Sequence, residues 1–293
     1  MWLDVDPLDI KTATARALNR YLDIKTVRSR RMTVQWDPDQ YLRYADERGR
    51  PFGDLLARVR AGDPHLVVDV GCGPGNLTRT LRSRWSGARV VGVDSSAEMV
   101  RAARADAGAD ALLSYEQADL RTWALPEDVD VVVCNATLQW VPDHVGVLDR
   151  WAGQLGPGAW LAFQVPGNFD APSHLSMAEV RSRPRWRDRL VSVAARPSVA
   201  TPEEYLDRLA RHGLTVDVWE TTYLHVLPGA DAVLEWLKGT GLRPVLGALD
   251  ADEQADFESE LGELLRAAYP PQDFGTVLPF RRIFAVATRE GGH

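Results

Sequence analysis

Leu66-Val67-Val68-Asp69-Val70-Gly71-Cys72-Gly73-Pro74-Gly75-Asn76 is the stretch on which the fold turns. It opens as an apolar run interrupted only by Asp69, the pattern of a strand buried on both faces of a parallel sheet. Three glycines follow at alternate positions, which lets the backbone turn tightly and pass close to a ligand. Leu77 to Trp85 then reads as a helix, and a strand, glycine turn and helix N-terminus in that order form a nucleotide-type site. The dinucleotide fingerprint Gly-x-Gly-x-x-Gly does not fit. Gly71 and Gly73 match, but the third glycine is Gly75, and Asn76 stands where it should be. Asp69 argues the same way, because a carboxylate there repels a pyrophosphate and suits an amino acid or a cation. A glycine-rich turn that binds nothing is the bland alternative.

Working outward, the same unit repeats. A second strand, Arg89 to Val93, ends at Asp94, about 20 residues after the glycine turn, the spacing at which an acid reaches a ribose in such folds. Asp94 also competes as a cap for the next helix, Ser96 to Ala107, which carries Met99 in its first turn. Ser95-Ser96-Ala97-Glu98 supplies a capping box of its own, which leaves Asp94 for the ribose. A third strand, Leu112 to Gln117, is followed by Asp119-Leu120, with Asp119 suited to an adenine amino group. A fourth, Val129 to Cys134, runs into Asn135-Ala136-Thr137-Leu138-Gln139-Trp140, and a fifth spans Trp160 to Val165. Open parallel sheets bind ligands outside the carboxyl ends of their strands. Asp69, Asp94, Asp119 and Asn135 occupy four such ends in succession.

The flanks are less regular. Asp39 is a plausible cap for a helix carrying Tyr41, Leu42 and Tyr44, which Arg48-Gly49-Arg50-Pro51 breaks; Pro51 then suits the first turn of a second helix, Phe52 to Arg60. Downstream, Thr201-Pro202-Glu203-Glu204 starts a helix, Val216 to Val226 reads as a strand, and Phe280 to Ala287 is the last strand. Two helical pieces, at about 167–200 and 227–277, interrupt the sheet. The first has one helical stretch near Ser173 to Val180, and the second, with Asp231 and Asp250 as caps, is helical over about 229–268. Insertions of this length commonly form lids. Residues 1–31 carry more basic than acidic side chains and little apolar surface. They read as an extension outside the fold, which leaves 32–293 as one domain with two insertions.

Composition bounds the role. The chain has 293 residues, 45% of them hydrophobic, and a net charge of −7, which argues against nonspecific nucleic-acid binding. Two cysteines, Cys72 and Cys134, end apolar runs and read as reduced, buried thiols, so neither a disulfide framework nor a cysteine-rich metal site is expected. No apolar run approaches the roughly 20 residues of a membrane span. No secretory signal is evident, so a cytoplasmic location is expected.

Asp69-x-Gly-Cys-Gly-Pro-Gly-Asn76 resembles the first motif of class I S-adenosylmethionine-dependent methyltransferases. More specific segments resemble the trans-aconitate 2-methyltransferase family: Trp36-Asp37-Pro38-x-x-Tyr41, Arg48-x-Arg50-Pro51, Asp94-Ser95-Ser96-x-x-Met99, Asn135-Ala136-x-Leu138-Gln139-Trp140-Val141-Pro142-Asp143-His144, Gln164-x-Pro166-x-Asn168, Thr221-Thr222-Tyr223-x-His225 and Thr240-Gly241-Leu242-x-Pro244. The resemblance spans roughly 34–289 and has no counterpart for 1–31.

It implies an α/β, doubly wound, mostly parallel seven-stranded Rossmann-like sheet with helical insertions forming a lid. It also implies S-adenosylmethionine as cofactor, held by Asp69, Gly71, Cys72, Gly73, Gly75, Asn76, Asp94, Ser95, Met99, Asp119, Leu120, Asn135, Gln139 and Trp140. The reaction implied is methyl-ester formation on a carboxylate of a small tricarboxylic acid, trans-aconitate. Such a carboxylate is already ionised at pH 7, so no general base and no metal are expected. A trianion needs cationic grip in a protein of net negative charge. Arg48, Arg50 and Arg282 are the candidate cations. Gln164, His174, Tyr223 and His225 are candidate neutral contacts, and Trp36 and Tyr41 candidate wall aromatics. A monomer is expected, with no nucleic-acid or membrane partner. Two alternatives remain: a malonyl-acyl carrier protein carboxyl methyltransferase, which would need a basic surface such as Arg181 to Arg189, and a non-catalytic cofactor-binding regulator.

Overall fold

The glycine turn sits at the centre of a seven-stranded sheet in the order β3-β2-β1-β4-β5-β7-β6. The computed structural model describes residues 45–193 and 199–291, all within one compact unit, Trp36–His293. The extension 1–31, Trp36, Tyr41 and the side chain of Arg48 lie outside the described residues. Strands β1 (Leu66–Val70), β2 (Arg89–Asp94), β3 (Leu113–Gln117), β4 (Val131–Asn135) and β5 (Trp160–Pro166) run parallel. β7 (Thr276–Thr288) inserts antiparallel between β5 and the edge strand β6 (Thr215–Leu227). The strand order reverses beside β1 and β4, where open α/β sheets place their ligands.

Every residue of β1 is buried, as its apolar run requires. Helices cover the sheet: α1 (Ala45–Leu56), α2 (Asn76–Arg84), α3 (Ala97–Asp106), α4 (His144–Gln154) and, from the later part of the chain, α7 (Pro202–Arg211). One face packs Val68, Val70, Leu148, Trp151, Phe163 and Tyr205, and the other packs Phe52, Leu55, Leu81, Val90, Tyr115 and Phe284. α7 starts with the expected capping box, Thr201 accepting from the Glu204 amide.

Two local expectations need correction. Gly49 and Pro51 do not break α1, which runs through both. Its apolar anchors Phe52, Leu55 and Leu56 follow the proline, so packing on the sheet outweighs the one hydrogen bond that Pro51 removes. The cap of α3 is Ser96, which accepts from the Met99 amide, and Glu98 falls one residue short of the capping-box position.

The two insertions fold as one body. The first contains α5 (Pro172–Ser182) and α6 (Pro184–Arg187). The second is not one continuous helical stretch but α8 (Ala232–Lys238), α9 (Arg243–Leu246) and α10 (Ala251–Ala268), separated by the glycine-containing turns 239–242 and 247–250. Met177, Val180, Trp186 and Leu190 share a core with Trp236, Leu237, Phe257, Leu261 and Tyr269. Trp186 of α6 and Arg183, the residue between α5 and α6, both donate to Glu260 of α10, at 3.0 and 2.8 Å. The body rests on Leu227, Leu278 and Phe280, at the end of the β6–β7 ladder, where these 13-residue strands outrun the parallel ones.

Candidate active site

Two cavities meet at the carboxyl ends of β1, β2 and β4. The first is lined by Gly71, Gly73, Pro74, Asp94, Ser95, Met99, Asn135, Ala136, Thr137 and Trp140. The second is lined by Asn135, Ala136, Gln139, Trp140, Pro166, Asn168, His174, Arg282 and, from the insertion body and its strand, Trp236, Leu237, Gly239, Thr240 and Phe280. Asn135, Ala136 and Trp140 belong to both and form the junction. The second cavity is open to solvent on one side and has a mixed polar and apolar wall, the character of a small-molecule site.

In the first cavity Gly71 has φ +76° and an added Cβ would overlap the Thr137 side chain, so only glycine lets the loop pass this close to β4. The Asp94 carboxylate lies on the wall but is already engaged. One oxygen accepts from the Gly73 amide at 2.9 Å and the other from the Ser96 amide at 2.8 Å. Asp94 therefore ties the glycine loop to α3, and the idea that a capping box leaves it unoccupied is overturned. Each carboxylate oxygen has a second lone pair, so the wall position still suits a pair of ribose hydroxyls. Burial raises the Asp94 pKa, against the pull of the Ser96, Gly73 and Ser95 amides. Asp94→Ala is expected to weaken S-adenosylmethionine binding by at least the roughly 1.5–3 kcal/mol of one charge-assisted hydrogen bond. Calorimetry that finds unchanged affinity removes Asp94 from the cofactor.

Other expected cofactor residues lie away from the cavity wall. Asp69 is 2% exposed beneath the glycine loop, accepting from the Thr78 hydroxyl at 2.6 Å. Cys72 is buried, Asn76 is the first residue of α2, and Gly75 precedes it at φ +81° as the helix cap. Asp119 is bound by the Arg121 guanidinium at 2.9 Å, and Leu120 belongs to the core. These six line neither cavity.

Burial pushes the Asp69 pKa up to about 7, opposed by the Thr78 hydrogen bond and helped by nearby Asp94. An unfolded chain ionises this group near 3.9. Between about pH 4 and pH 7 the folded state therefore holds a proton that the unfolded state has released, and stability falls as pH rises through that window. Asp69→Asn removes the effect. The cofactor-free variant should melt above wild type at pH 8 and level with it at pH 4. A melting difference independent of pH would contradict this.

The acceptor-side residues divide as well. Arg282, 4% exposed, lines the second cavity and packs over the Phe280 ring at 4.7 Å. His174 and Gln139 line it too, Gln139 donating to the Ala136 carbonyl at 2.6 Å. Gln164 is fully buried between Arg282 and Asn135, so it does not touch a ligand. The Tyr223 hydroxyl donates to Asp54 of α1 at 2.6 Å, with the Arg50 guanidinium 5.1 Å over its ring. Tyr223 and the exposed Arg50 thus join α1 to β6 and do not line the second cavity. His225 is 6% exposed and stacks on Trp236 at 5.0 Å. Burial, then Arg282 and Arg50, push its pKa down to about 4, so it is neutral at pH 7. Asn168, Trp236 and Phe280 were not anticipated as wall residues. Asn168 stands in the Gln164-x-Pro166-x-Asn168 segment, whereas an aromatic on a helix reads as core.

The fold, with its glycine-loop cavity opening onto a second cavity at the sheet's switch point, defines a class I S-adenosylmethionine-dependent methyltransferase. A family model described as a methyltransferase domain matches residues 68–163. Of the solved structures, the YcgJ protein of Bacillus subtilis aligns with a TM-score of 0.53 at 15% identity, covering 83% of this chain and 100% of that chain, a likeness of fold alone. The trans-aconitate 2-methyltransferase of Streptomyces avermitilis is 53% identical over 261 residues, 87% of this chain and 97% of that protein. That of Mycolicibacterium gilvum is 54% identical over 259 residues, 86% of this chain and 98% of that protein. The chain belongs to the trans-aconitate 2-methyltransferase family.

Proposed function

We propose that the protein transfers a methyl group from S-adenosylmethionine to one carboxylate of a small tricarboxylic acid, trans-aconitate, bound in the second cavity. The observation that carries this reading is Arg282, a permanently charged group 4% exposed in the wall of a cavity that shares its junction with the glycine-loop cavity.

Bound S-adenosylmethionine supplies an electrophilic methyl on a sulfonium. Gly71 and Gly73 offer backbone to its amino-acid portion, Asp94 suits its ribose, and Met99 walls the same cavity. The acceptor carboxylate is ionised at pH 7, so the protein needs no base and its tasks are orientation and water exclusion. Arg282 grips a spectator carboxylate, His174 and Asn168 offer neutral contacts, and Trp236, Leu237 and Phe280 wall the cavity from the insertion side.

We assign residues 32–293 to the methyltransferase unit, with 1–31 outside it. The carrier-protein alternative loses its docking surface, because Arg183, Arg185 and Arg189 pair with Glu260, Asp256 and Glu253 of α10. A screen of di- and tricarboxylic acids with methyl-labelled cofactor tests the reading. The expected product is a base-labile methyl ester of trans-aconitate. Label found only on alcohols, amines or an acyl carrier protein would overturn it.

A further inference from the structure

Arg282, Gln164 and Asn135 form a hydrogen-bonded chain across three strands. Asn135 on β4 is the register partner of Gln164 on β5, and Gln164 faces Phe284 on β7, two residues from Arg282. Residues two apart on a strand share a face, so the three side chains stand in a diagonal row on one side of the sheet. Arg282 Nη1 donates to Gln164 Oε1 at 3.1 Å, and Gln164 Nε2 donates to Asn135 Oδ1 at 2.7 Å.

The polarity of this chain is set at one end. A guanidinium has only donors, so Gln164 must turn its oxygen to Arg282 and its nitrogen to Asn135. Asn135 must then turn its oxygen to Gln164. Gln164 is fully buried, whereas Asn135 is half-buried and lines both cavities. The amide corner left to the junction is therefore Nδ2, a donor.

We infer that Arg282, acting through Gln164, fixes the Asn135 amide so that its N–H faces the junction and holds the reacting carboxylate of the acceptor. This rests on the proposed carboxylic-acid acceptor. An ionised carboxylate accepts and never donates, so an amide presented the other way round would repel it. Gln164 is a positioning residue that meets neither substrate nor cofactor. Arg282 has two duties: it faces the acid directly, and it orients the group that holds the acid's reacting end.

The test is a double-mutant cycle with Gln164→Met and Asn135→Leu, reading KM and kcat for trans-aconitate, S-adenosylhomocysteine affinity and melting temperature in all four proteins. Losing a hydrogen bond to a charged group predicts a rise in the acid's KM of roughly 10–100-fold for Asn135→Leu. Gln164→Met should give about 10-fold alone and, within about 3-fold, nothing further on top of Asn135→Leu, because it acts through that side chain. S-adenosylhomocysteine affinity should stay within about 3-fold throughout. Multiplicative effects of the two substitutions would overturn the inference, as would a fall in S-adenosylhomocysteine affinity in step with KM, which would assign Asn135 to the cofactor. Asn135→Asp guards against misfolding. It keeps an acceptor for Gln164 but puts an oxygen in the junction, so it should harm KM at least as much as Asn135→Leu. Wild-type KM in that variant would also overturn the inference. Wild-type protein that methylates no carboxylic acid would instead remove the acceptor reading on which the inference stands.

Discussion

Arg282→Lys is expected to reduce kcat/KM for the acid by roughly 2–5 kcal/mol, the range for losing a buried charged contact, while cofactor affinity stays within about 3-fold. Lysine keeps the charge but loses the planar fork that meets a carboxylate at two points. It also cannot span the same geometry between the cavity, Gln164 at 3.1 Å and the Phe280 ring. Both the direct grip on the acid and the orientation of Asn135 suffer. High salt should mimic the defect only weakly, because a buried pair is poorly screened. Steady-state kinetics with trans-aconitate, beside calorimetry with S-adenosylhomocysteine, checks this. Full activity in Arg282→Lys on every acid methylated by wild type would contradict it.

Gly71→Ala should be the most damaging single change in the cofactor cavity. The residue sits at φ +76°, which costs an alanine about 1–2 kcal/mol, and its Cβ would overlap Thr137, an overpacking that costs about 1–3 kcal/mol more. The Gly71 amide also donates to the Val93 carbonyl at 2.7 Å, so a shift there loosens the loop from β2. Lower melting temperature and a loss of S-adenosylmethionine affinity are expected together. Adding Thr137→Ala should recover part of the stability by relieving the overlap, but not the backbone strain. Unchanged affinity in Gly71→Ala would show that the loop does not depend on this close approach.

Strands β1, β2, β4 and β5 are legible in the sequence because each is a local apolar run followed by a helix, and the glycine turn marks the ligand end; β3, Leu113-Ser114-Tyr115-Glu116-Gln117, has no helix between it and β4. Asp94, Asn135 and Trp140 are legible for the same reason: they follow directly on strands. What the sequence hides is set by register. Gln164 reads as a substrate contact because it stands in the family-like segment Gln164-x-Pro166-x-Asn168, and only its pairing with Asn135 and its diagonal relation to Arg282 show it as a buried link. Tyr223 reads as a donor until α1 supplies Asp54, 169 positions away. Asp119 and Asp69 stand at strand ends as a binding array would have them, yet Arg121 and Thr78 engage them locally. The insertions are recognisable as helical, but their common core depends on contacts such as Trp186 with Phe257, at 5.3 Å, which no local pattern reveals.

The most direct test of the acceptor reading is kcat/KM across a series that keeps the reacting carboxylate and removes the others one at a time, from trans-aconitate to a dicarboxylic and then a monocarboxylic acid. If Arg282 and its neighbours hold spectator carboxylates, each deletion should cost about 1.5–3 kcal/mol, a stepwise fall of roughly 10–100-fold. The loss on deleting the carboxylate paired with Arg282 should shrink in Arg282→Lys, which keeps the charge but not the two-point contact. Equal kcat/KM across the series would contradict the account.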